Sequence, residues 1–148
     1  MEFVCEATRV AELIARTQTP VYLYSFEYVV DGLASNHVIH GVDTNFVFGN
    51  SFTAPDNHIL NSADLALANS IGRYWTRFAT SGNPNLVGDN TAVPWFPFQI
   101  ATPFTPGDRY LILDSVVREG QALRALQCDF LKPFFFRSVV GAVPAAVP

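Results

Sequence analysis

Residues 21–30, VYLYSFEYVV, constrain the fold more than any other stretch. They are rich in β-branched and aromatic residues, the composition of a strand. The start of the run is apolar at consecutive positions, so both of its faces need cover. Strands of that kind lie in sheets with helices packed on both sides. The chain offers such helices. In residues 7–17, ATRVAELIART, the spacing puts Val10, Leu13 and Ile14 on one helical face, and Pro20 ends the region. Residues 63–80 read as a longer helix capped by Asn61 or Ser62. Its buried face would be Leu67, Ile71, Tyr74 and Phe78, with Trp75 beside them, and Gly82-Asn83-Pro84 stops it. RYLILD, 109–114, is a short strand, and residues 120–136 read as a final helix reaching at least Leu131. Residues 51–61 and the proline-rich 83–108 are loops, and the tail GAVPAAVP is expected to fray. Strands and helices in this order define an α/β fold. Two or three strands cannot make a well-covered sheet alone. The 13 Phe, 5 Tyr and 2 Trp exceed what so few elements can cover, so the domain reads as incomplete.

Charge narrows the partners. The net charge is −4 with no Lys/Arg cluster, which argues against nucleic acid. No apolar run reaches transmembrane length. The opening MEFVCEATRV has two Glu and no basic region, so it does not read as a signal peptide. There is no Asn-x-Ser/Thr sequon and no internal repeat.

The chemistry concentrates in NHVIHGVDTNFVFGN, residues 36–50. His40 stands directly before Gly41 in a loop, with Asp43 two residues on and an apolar run, 46–48, ending at Gly49. A loop His-Gly by itself is more often structural than catalytic. Asp43 is either a loop-fixing hydrogen-bond acceptor or a solvated acid. His37 and His40 form an H-x-x-H pair, but no third ligand accompanies them, so no metal and no cofactor are expected. His58 reads as a surface loop residue. No G-x-S-x-G occurs. The nearest strings are Ala68-Asn69-Ser70-Ile71-Gly72, which falls mid-helix, and residues 49–53, which lack the last glycine.

The motifs VYLYSFEY, HVIHGVDTNFVFGN, SIGRYWTRFATSGNPN, Trp95 followed by Pro-Phe, RYLILD and ALRALQCDFLKPFF occur in that order. Together they resemble the C-terminal part of the type-B carboxylesterases, the α/β-hydrolase family that includes the cholinesterases. The resemblance covers roughly residues 3–136. It implies that 1–136 is the C-terminal part of a carboxylesterase domain and 137–148 an apolar Pro/Ala tail. In α/β-hydrolases the triad runs Ser, acid, His along the chain, with the His on a late loop after a strand, where His40 falls. The resemblance thus makes His40 the general base, with Gly41 and Asp43 supporting the site. The family usually has Glu at the position of Asp43 and often Gly at that of His37. Nucleophile, triad acid and oxyanion donors would come from an N-terminal part of the same esterase, acting on a small carboxylic ester. The 148 residues alone would then be inactive. Two cysteines, Cys5 and Cys128, could be free core thiols. Matching positions are paired in the cholinesterase relatives, so the resemblance implies a disulfide, an oxidising compartment and a secreted parent. Glu6 replaces the family's proline after the first of them. Two other readings stay open: a non-catalytic adhesion relative, and a small self-sufficient hydrolase using Ser70.

Overall fold

The computed structural model describes residues 2–53, 56–89, 92–102 and 107–136. Its elements are α1 (Glu2–Ala15), β1 (Tyr24–Phe26), α2 (Val42–Phe48), α3 (Ser62–Ser81), β2 (Arg109–Leu113), β3 (Arg118–Gln121) and α4 (Ala125–Phe136). The strands form one mixed sheet in the order β1-β2-β3. β1 runs parallel to β2, with Tyr24 opposite Leu111 and Phe26 opposite Leu113. A parallel pair needs a long crossover, and α2 and α3 lie within it. β3 returns antiparallel to β2, with Tyr110 opposite Gly120.

Cover on both faces, expected from residues 21–30, is what the fold supplies. Tyr24, Phe26 and Tyr28, with Leu111 and Leu113, pack on a core made with Val42 and Phe46 of α2 and Leu67, Ile71 and Tyr74 of α3. Leu23 and Tyr110 belong to a second core with Ala11 of α1, Phe98 and Leu123. The regular strand is shorter than the apolar run, but its pairing continues past both ends. The Phe98 amide donates to the Val21 carbonyl, and the Glu27 amide donates to Leu113.

α3 forms where its local signals place it. Asn61 is the cap: its side chain accepts from the amides of Ala63 and Asp64, while the Asp64 carboxylate accepts from the Asn61 amide. Gly82, in the left-handed region, ends the helix. Phe78 departs from the expected face. It is 47% exposed and meets Tyr22 edge-on.

Two further expectations need correction, and one helix, α2, was not anticipated. Residues 118–121 are strand, and the last helix begins only at Ala125. Pairing with β2 decides this, because the Arg109 guanidinium grips the Glu119 carboxylate across the strands. The apolar run after Gly41 is helical (α2), its inner side set by Val42 and Phe46. On α1, the face carrying Val10, Leu13 and Ile14 points outward, at 50%, 55% and 41% exposure, and burial falls on Cys5 and Ala11. α1 is instead held to α4 by a Cys5–Cys128 disulfide. Among the described residues, no helix is long and apolar enough to cross a membrane. The tail, 137–148, lies outside the described residues.

Candidate active site

β1 delivers the chain to a loop, residues 31–40, that ends in a turn at His40-Gly41. Gly41 has φ 85° and occupies the N-cap position of α2. That left-handed geometry favours glycine, which lets the backbone turn behind the His40 ring. α2 then anchors the turn by burying Val42 and Phe46 completely or nearly so. Phe46 is ringed by Phe26, Tyr28 and Phe52.

Asp43, in the first turn of α2, accepts a hydrogen bond of 2.8 Å from the Tyr24 hydroxyl. This joins the loop to β1 directly. Burial first, then the bond to Asp43, pushes the Tyr24 phenol well above its ordinary range, so it remains a donor at any physiological pH. His40 itself is exposed. Its ring stacks on Phe3 of α1, centroids 4.8 Å apart and planes within 9°. Among the described residues its ring nitrogens carry no hydrogen bond. His37 is also exposed, with Nδ1 3.1 Å from the Asn36 side-chain oxygen. Among the described residues no three His, Cys, Asp or Glu side chains are grouped to hold a metal.

Ser70 lies in the middle of α3. Its hydroxyl donates to the Ala66 carbonyl at 3.0 Å and accepts from Arg73 at 3.2 Å. It lines a surface cavity of about 450 Å³ with Arg73, Arg77 and Asp114, and no histidine among the described residues borders that cavity. A serine bonded back into its own helix, with no base beside it, is not arranged as a nucleophile.

The reading of His58 as a surface residue is overturned. Its side chain is only 12% exposed, and Nε2 lies 2.9 Å from Oδ2 of Asp64, which is fully buried. The same carboxylate accepts from the Tyr28 hydroxyl at 2.8 Å and from the Asn61 amide at 2.8 Å. Burial opposes the Asp64 charge, but these three donors outweigh it and hold the carboxyl below its usual range. Burial and then Asp64 push the Tyr28 phenol up to about 12. The sequence signal for this cluster was faint: a histidine six residues before the Asp of a capping box.

An α/β sheet with a histidine turn after its strand, braced from that strand through a tyrosine–aspartate bond, has the architecture of an α/β-hydrolase. Comparison with known proteins gives the family. The carboxylesterase family profile matches residues 1–131, and the chain belongs to that family. Relatives include pyrethroid hydrolase Ces2a of Mus musculus, 34% identical over 133 residues, 86% of this chain and 22% of that protein. Carboxylesterase 4A of Bos taurus is 31% identical over 134 residues, 88% of this chain and 22% of the relative. A medium-chain fatty acyl-CoA hydrolase precursor of Anas platyrhynchos is 29% identical over 133 residues, 86% and 22% respectively. The chain thus spans about a fifth of the length of these relatives.

Proposed function

We propose that this chain contributes the general base, His40, to a carboxylic-ester hydrolase whose nucleophile, triad acid and oxyanion donors lie outside these 148 residues. The observation that carries the proposal is the His40-Gly41 turn after β1, tied back to Tyr24 through Asp43. In the reaction, one imidazole nitrogen takes the proton of a serine hydroxyl as the oxygen attacks the ester carbonyl. The other is held by a carboxylate, which stabilises the imidazolium. The same proton then passes to the leaving alcohol, and water repeats the cycle on the acyl-enzyme. Gly41 and Asp43 serve by fixing the ring's approach. No cofactor enters these steps.

Two observations support a larger assembly. The outward Val10, Leu13 and Ile14 of α1 leave roughly half of their surface exposed among the described residues. Beside them, Ile14, Tyr22, Tyr24, Trp75, Phe78 and Trp95 line an open aromatic cavity of about 350 Å³. An N-terminal part of the same esterase would cover such surface. The relatives' names include a pyrethroid hydrolase and a carboxylesterase, so a small carboxylic ester is the substrate class proposed here. The Cys5–Cys128 disulfide supports maturation in an oxidising compartment, hence secretion of the enzyme.

The test is His40→Ala in the complete esterase, assayed on p-nitrophenyl butyrate. It lowers kcat on the order of a thousandfold or more while leaving the melting temperature near wild type. His37→Ala changes kcat little. If His37→Ala is as damaging as His40→Ala, the base is assigned to the wrong residue.

A further inference from the structure

We infer that His58, Asp64 and Tyr28 form a positioning cluster that clamps the loop carrying His40; its catalytic consequence rests on His40 being the base. The capping box at the start of α3 needs only the Asn61 amide on the Asp64 carboxylate. Two more donors converge on that buried carboxylate, the Tyr28 hydroxyl just past β1 and the His58 ring. They are not required to start a helix.

What they hold is the approach to His40 on both sides. Upstream, the His58 ring lies against Gly32, where a Cβ would sit 3.3 Å from Nδ1 and where φ is +91°. Two residues on, the Ala34 amide donates to the Asp56 carboxylate. Gly32 and Ala34 are therefore laid against His58 and Asp56, and the Phe52 amide donates to the His58 carbonyl at 2.8 Å. Downstream, Phe52 meets His58 on one side and Phe46 of α2 on the other. Tyr28 packs on Phe46 as well. One carboxylate thus ties together the end of the strand, the segment before His40, the helix after it and the start of α3. Loops gain a fixed path from such buried, fully satisfied polar groups, and misplacing a base by about an ångström costs turnover heavily.

The experiment compares His58→Phe, His58→Gln and Tyr28→Phe in the complete esterase. Phenylalanine keeps a ring against Phe52 and Gly32 but removes the donor. Glutamine keeps an N–H for Asp64. Tyr28→Phe removes only a hydroxyl and guards against a His58 variant that does not fold. Hydrogen exchange of amides 32–41 and steady-state kinetics are both read. His58→Phe speeds exchange in that segment about tenfold and lowers kcat with KM unchanged; Tyr28→Phe does the same more weakly, and His58→Gln restores both. The clamp is overturned if protection of 32–41 in His58→Phe and Tyr28→Phe equals wild type, or if His58→Gln is as exposed as His58→Phe. A parallel His40→Ala separates the two claims. A loosened segment in His58→Phe beside a fully active His40→Ala supports the clamp and overturns only the base.

Discussion

Trp95 is buried in the first core, and its indole N–H donates to the Leu23 carbonyl at 2.9 Å. Its own backbone is gripped by Asn85, whose side-chain amide accepts from the Trp95 N–H and donates to the Trp95 carbonyl. Asn85 closes the Gly-Asn-Pro-Asn sequence after α3, so that motif seats the tryptophan as well as ending a helix. Tyr22, Tyr24 and Tyr74 meet the indole edge-on. Trp95→Phe removes one hydrogen bond and part of the buried volume. The Leu23 carbonyl keeps its bond from the Leu111 amide, so no acceptor is stranded. The expected loss is about 2 kcal/mol, read as a lower denaturation midpoint at an unchanged slope. Legibility at this scale followed locality. His40 stood out because the residues that mark it are its neighbours. The bond from Trp95 to Leu23 spans 72 positions, and no local pattern announces it. His58 was misread for the same reason: its loop is polar, and the burial of Asp64 is created only when β1 and α3 meet.

α3 and β3 mark the two extremes among the elements. α3 carries its cap, its 3.6-residue apolar spacing and its stop within 22 consecutive residues, from Asn61 to Gly82, and was readable except at Phe78. β3 is Arg-Glu-Gly-Gln, mostly exposed and poor in strand formers, so only its pairing with β2 makes it a strand. α2 is seven residues long, too short for a periodic signal, and burial of Val42 and Phe46 defines it. Gly120 shows how β3 was specified. It lies opposite Tyr110, and a Cβ there would come within 2.5 Å of the tyrosine ring. The absent side chain is the space the ring occupies. Gly120→Val therefore displaces Tyr110 from the second core and costs about 1–3 kcal/mol by thermal unfolding. An unchanged melting temperature would show that the ring does not need that space.

For the molecule as a whole, the α/β class was legible from the two-sided apolar run at 21–30 and the helices around it, but the outward turn of α1 was not. Helical spacing tells which residues share a face and leaves open where that face points. α1 is fixed at its other side by Ala11 and by the Cys5–Cys128 bond, which closes a separation of 123 residues. In the chain-entropy view such a link stabilises by about 5 kcal/mol. Cys5→Ser with Cys128→Ser should lower the melting temperature by about 10 °C or more, and dithiothreitol should do the same to the unaltered chain. The central claim is that the catalytic base is in this chain and its nucleophile is not. Purified 148-residue chain, with its Ser70→Ala and His40→Ala variants, tests this directly when assayed on p-nitrophenyl acetate and butyrate. The predicted result is unsaturable background hydrolysis, indifferent to Ser70→Ala. Saturable turnover abolished by both Ser70→Ala and His40→Ala would contradict the claim.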